Sequence, residues 1–129
     1  MFVLISIKIF AQKNVLCDTV YDYPETNAYF KNDNVGLMKY INTKLAPILH
    51  ECQTESQLIA SMDIILTISK HGRVTAVDFP KFPGSDNCKL KLKKAILKMT
   101  DWTPGKIGHE NVCSKYYWPI SCLKWESDN

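Results

Sequence analysis

With 129 residues, 46% of them hydrophobic and 22% charged, the chain has the make-up of one ordinary globular domain with a genuine core, not of a disordered tail. Two domains would be crowded at this length. The formal charge of +3 is small, and no Gly-rich phosphate loop or aromatic RNA-binding motif accompanies it, so nucleic acid is set aside as a partner.

Met1 to Ala11 reads MFVLISIKIFA, an apolar run ending in a small residue and followed by polar Gln12, Lys13 and Asn14. That is the arrangement of a signal-peptide core with cleavage after Ala11, and an N-terminal core strand is the competing reading. As a helix the run would cover only about 16 Å of a hydrocarbon layer ~30 Å thick, too short for a membrane span. Export to the periplasm or beyond as a soluble protein is the expectation.

Residues 12–33 are polar, rich in Asn and Asp and broken by Pro24, and they read as an extended lead-in. Tyr21, Tyr23, Tyr29 and Phe30 are expected to pin it over the core's margin. The folded domain is placed at 34–125, with a polar tail at 126–129. Asn34 is a plausible N-cap, and Leu37, Met38, Ile41 and Leu45 then recur at helical spacing until Pro47. From Ile48 to Ser61 the periodicity weakens to an irregular connection with room for a helical turn.

Met62, Ile64, Leu66 and Ile68 alternate with Asp63, Ile65, Thr67 and Ser69, a period of two that marks a strand buried on one face. Lys70, His71 and Gly72 supply a turn, and Val74 to Phe79 returns as a second strand. Ser85 or Asp86 can cap a second helix in which Cys88, Leu92, Ala95, Ile96 and Met99 share one face, while Lys89, Lys91, Lys93, Lys94 and Lys98 occupy the remainder. Such a lysine face can attract anionic surfaces, but it is more commonly just solvated. Trp102 to Gly105 reads as a turn and Lys106 to Ser114 as a loop. Tyr116, Trp118, Ile120 and Cys122 then alternate with Tyr117, Pro119, Ser121 and Leu123 in a third strand. Pro119 cannot donate to a ladder, so that strand belongs at a sheet edge or carries a bulge there.

A hairpin followed by a right-handed crossover through the second helix gives the sheet order 2-1-3. Both helices then cover one face of the sheet, because strand one has only one strongly apolar face. The class is α+β, two helices on a three-stranded antiparallel sheet in the order α-β-β-α-β.

Five cysteines are many for this length, and beside an export signal they suggest at least one disulfide. The topology gathers Cys52, Cys88 and Cys122 at one end of the sheet. Cys113 lies at the other end, roughly 30 Å along an extended chain from Cys122, whereas bridged Cα atoms lie within about 7 Å. One bridge is expected among the three clustered cysteines, Cys52 with Cys88 favoured. His109 with Cys113 and His50 with Cys52 do not have the spacing of a recognised zinc finger, so no metal or cofactor is expected. His109 and Cys113 are also the only nearby pair for a thiol enzyme, without a nameable oxyanion donor, so catalysis is not expected.

Several segments in order resemble the C-terminal domain of TonB-like proteins, especially Bacteroidetes-type versions. ILTISKHGRVTAVD at Ile64 to Asp78 is similar to that family's strand, turn and strand. MTDWTPGK at Met99 to Lys106 resembles its helix end and Trp-x-Pro-Gly turn, and WPISCL at Trp118 to Leu123 its last strand. YFKNDNVGLMKYI at Tyr29 to Ile41 occupies the place of its lead into the first helix. The resemblance implies two helices over a three-stranded antiparallel sheet and periplasmic contact with an envelope protein such as an outer-membrane transporter. A short segment of that partner would pair along the last strand by β-augmentation. The matching positions are Lys115, Tyr116, Tyr117, Trp118, Ile120, Ser121 and Leu123. With no membrane anchor or Pro-rich spacer, the chain is not expected to couple to an inner-membrane motor alone. The alternative is a structural or assembly accessory that keeps the fold, lacks transporter recognition and makes contact through its lysine face.

Overall fold

A computed structural model describes residues 17–52, 61–82 and 84–121 of the chain. The expected signal peptide, Cys122, Leu123 and the polar tail lie outside the described residues.

The lead-in forms two short strands, β1 (Val20–Tyr21) and β2 (Tyr29–Phe30). Of its four aromatics only Phe30 is buried, against the expectation that all would pin the segment. A chain running along a sheet margin turns only alternate side chains inward. Phe30 packs against Trp102 and Tyr40, with ring centroids 5.3 and 5.9 Å away.

The first helix, α1 (Asp33–Tyr40), begins ahead of the expected cap. Asn32 and Asp33 take φ of 63° and 53°, a left-handed geometry that Asn and Asp tolerate better than other non-glycine residues. The Gly36 N–H donates to the Asn32 carbonyl at 3.2 Å. Asn34 therefore lies inside the helix. Nor does the helix stop at Pro47: a π-helical turn, Ile41–Leu45, leads into α2 (Ala46–Cys52). In a regular helix the proline ring would strike the carbonyl four residues back. The wider turn just ahead puts Pro47 in the first turn of a new α segment, where a missing N–H costs little.

Strand β3 (Ser61–Ile68) buries Met62, Ile64, Leu66 and Ile68, as its period of two requires. It turns back into β4 (Val74–Asp78), Leu66 lying opposite Val77, with a register shift after Thr67. In the turn, buried Ser69 accepts at Oγ from the His71 and Arg73 N–H groups, both at 3.2 Å. Gly72 has φ +80°, and a Cβ there would run into the Trp102 carbonyl. It is thus required by conformation and by close approach together.

Helix α3 (Asp86–Leu97) starts where expected, the Cys88 N–H donating to Ser85 Oγ at 3.1 Å. Cys88, Leu92 and Ile96, with Met99 beyond the helix end, are buried. The remaining strands are β5 (Trp102–Thr103), β6 (Gly105–Ile107) and β7 (Glu110–Ser121). The loop expected over Lys106 to Ser114 is instead a hairpin, Gly105 opposite Val112 and Ile107 opposite Glu110, turning at Gly108 with φ +64°. The third strand is thus 12 residues long, its first part specified by backbone pairing that leaves no apolar alternation.

The α+β class holds, and the central order β4, β3, β7 is the expected 2-1-3. The sheet itself is not three-stranded and antiparallel. β7 and β3 are antiparallel, as are β3 and β4, but β1 joins β7 in parallel, Val20 opposite Cys113, and β6 extends β7, making five strands of mixed sense. β2 and β5 form a second, two-stranded sheet. The helices pack on the face that carries Ile64, Leu66, Trp118 and Ile120, in one core with Leu37, Ile41, Leu45, Leu92 and Ile96.

Cys52 and Cys88 are bonded, Cα atoms 5.6 Å apart, tying α2 to α3 as expected. A second bridge, Cys17 to Cys113 with Cα atoms 5.7 Å apart, was not foreseen. Cys113 is in strand β7 and β1 brings the lead-in alongside it. The bridges join residues 36 and 96 apart in sequence, and restricting the unfolded chain to that extent corresponds to about 4 and about 5 kcal/mol in a chain-entropy model.

Gly72→Ala is expected to lower unfolding free energy by about 2 kcal/mol in denaturant titrations, since alanine there meets both left-handed strain and a backbone clash. Peptide mapping of unreduced, alkylated protein should recover the 17–113 and 52–88 cross-linked pairs. Four alkylated residues at these positions would contradict the fold.

Candidate functional site

The residues expected to bind a partner lie on β7, whose two sides differ. On one side Ser114 to Ser121 pair with β3, from Ile68 opposite Ser114 to Ser61 opposite Ser121. On the other, β1 reaches only Cys113 and Ser114. Among the described residues, Tyr116 to Ser121 therefore have no strand on their outer side.

Pro119 stands opposite Asp63 in the ladder. A proline is accommodated in a paired strand where its nitrogen faces away from the neighbour. This phase turns the backbone groups of Lys115, Tyr117 and Pro119 toward the open edge. Pro119 offers only its carbonyl there, while Tyr117 offers both donor and acceptor.

The side chains divide by parity. Trp118 and Ile120 are buried, Tyr116 is half-buried, and Lys115, Tyr117 and Pro119 are exposed on the opposite face. Trp118 and Ile120 are thus core residues as well as members of the edge. Tyr117 stacks with Tyr23, centroids 6.4 Å apart and planes 21° apart. The Lys115 ammonium lies 3.6 Å from the Asp22 carboxylate, an exposed pair of little energetic weight. Ser121 continues the ladder, and Leu123 lies outside the described residues.

Beside the open edge runs a groove of about 310 Å³, walled by Asn34, Leu37 and Met38 from α1, Ile41 from the π-helical turn, and Tyr116 to Ile120 from β7. The helical wall is absent from the expected site. Met38 has a core residue's spacing with Leu37 and Ile41, yet it is 52% exposed at the groove. Val35, one turn back on the same helix, is 75% exposed as well.

Tyr116 forms the inner wall and packs edge-on against Trp102, centroids 4.9 Å apart. Burial pushes its phenol above the ordinary tyrosine range, and the Asp33 carboxylate adds to that shift. Burial likewise raises Tyr40, whose hydroxyl donates to the Ala95 carbonyl at 2.7 Å and so ties the first helical segment to α3.

The two cysteine–histidine pairs considered from sequence hold other places. Cys113 is bonded to Cys17, with His109 exposed at the β6–β7 turn, and Cys52 is bonded to Cys88 beside exposed His50. Among the described residues no three His, Cys, Asp or Glu side chains gather as a metal site, and no helix is long and apolar enough to cross a membrane. In comparisons with known proteins, no family model, curated protein or solved structure matches the chain.

Asp33→Asn should lower the Tyr116 pKa toward its ordinary value, read from the pH dependence of the Tyr116 ring resonances by NMR. An unchanged titration would show that the Asp33 carboxylate does not reach the groove wall.

Proposed function

We propose that this chain is an exported, non-catalytic binding module of TonB C-terminal type. It takes an extended segment of an envelope protein, an outer-membrane transporter foremost, as an added strand along β7. The observation that carries this reading is the coincidence, among the described residues, of an edge without a partner strand at Tyr116 to Ser121 with an adjoining apolar groove.

An added strand gains backbone hydrogen bonds from the edge, and its alternate side chains descend between α1 and Trp118. Pro119 limits the register by withholding one donor, which also discourages indiscriminate edge-to-edge pairing. The two disulfides suit an oxidising compartment, and the order of sequence motifs resembles the TonB C-terminal family.

Tyr117→Pro is the discriminating substitution. Residue 117 has the same ladder phase as Pro119, so proline there removes an outward donor without touching the bonds to β3. Envelope extract passed over immobilised wild-type protein should yield an outer-membrane transporter by mass spectrometry, and the Tyr117→Pro protein should not retain it. Equal retention by both, or retention of no transporter by the wild type, overturns the proposal.

A further inference from the structure

The net positive charge of this molecule is carried by one helix and its C-cap. From Asp86 to Met99 there are five lysines against the single acid Asp86, a net charge of +4. The whole chain carries +3, so everything else sums to −1. Among the described residues only Lys91 of the five is in an ion pair, its ammonium 3.5 Å from the Glu51 carboxylate.

The helix packs its opposite side on β4 and α2 and turns this one to solvent. Along the middle of the solvent side run Leu90, Lys93, Lys94 and Leu97, at the i, i+3, i+4, i+7 spacing of a single helical stripe. The two leucines are 49% and 39% exposed. Lys91 and Lys98 border the stripe on one side and Lys89 on the other, so two protruding aliphatic side chains stand within a field of ammonium groups. The stripe thus sets apolar side chains among cationic ones, and a polyanion such as a nucleic-acid backbone offers the leucines nothing to enter.

We infer that the outer face of α3 docks on an anionic lipid surface, its lysines engaging phosphate headgroups while Leu90 and Leu97 enter the boundary between headgroups and acyl chains. The two contributions are additive and distinct. Each lysine near an anionic leaflet strengthens binding about fivefold, an attraction screened by salt. The leucines contribute apolar burial that salt does not screen. Docking this way leaves the open edge of β7 clear, because α3 lies over β4, at the other side of the sheet.

The test is co-sedimentation of the full chain with vesicles of phosphatidylcholine alone and of phosphatidylcholine mixed with phosphatidylglycerol. Binding should favour the anionic vesicles and fall as salt rises. Lys93→Gln with Lys94→Gln should weaken the partition by about 25-fold, two lysines at about fivefold each. Leu90→Ser with Leu97→Ser should weaken it while keeping its salt dependence. All four positions are exposed or at the helix surface, so circular dichroism should show the fold intact in both variants. Tyr117→Pro should bind vesicles as the wild type does, separating this surface from the β7 edge. Equal binding to both vesicle types, undiminished binding by either double variant, or retention by duplex DNA but not by anionic vesicles overturns the inference.

Discussion

The eight-pair antiparallel ladder between β3 and β7 is the constraint on which the rest of the molecule depends. Both strands send even-numbered side chains inward, so Ile64 and Trp118, or Met62 and Ile120, meet beneath the helices. A slip of one residue would turn Trp118 and Ile120 to solvent and put Tyr117 and Pro119 into the core. Pro119 reinforces the phase, since its nitrogen has to face away from β3. The same register that builds the core thus decides which backbone groups of β7 point outward.

Elements with their own side-chain rhythm are readable from sequence. The alternation from Met62 to Ile68, the helical recurrence from Cys88 to Met99 with Ser85 as its cap, and the turn at Gly72 all stand as read. The Cys52–Cys88 bridge follows from knowing which ends of those elements meet. What was not legible is specified by contacts between distant segments. β1 and β2 are two residues each and exist only because β7 and β5 lie beside them, so Cys17 had no visible reason to approach Cys113. The continuation of the first helix through Pro47 needs a π turn that leaves no mark in apolar spacing.

The candidate site was half legible for the same reason. Proline in an alternating aromatic strand points to an edge, and β7 has an open outer side among the described residues. The groove's helical wall was hidden because Met38 fits the core stripe of α1 by spacing, yet it lines the groove and is exposed there. The aromatic series from Tyr40 through Phe30 and Trp102 to Tyr116 joins that wall to the interior.

The Cys17–Cys113 bond also settles how the domain would carry mechanical load. A pull on the chain ahead of Cys17 reaches β7 through a covalent link and bypasses the two-residue pairing of β1. The element next in line is the β3–β7 ladder, whose eight residue pairs resist sliding together. Tension from the N-terminal side is therefore delivered to the longest strand of the sheet, while the short strands of the lead-in bear almost none of it.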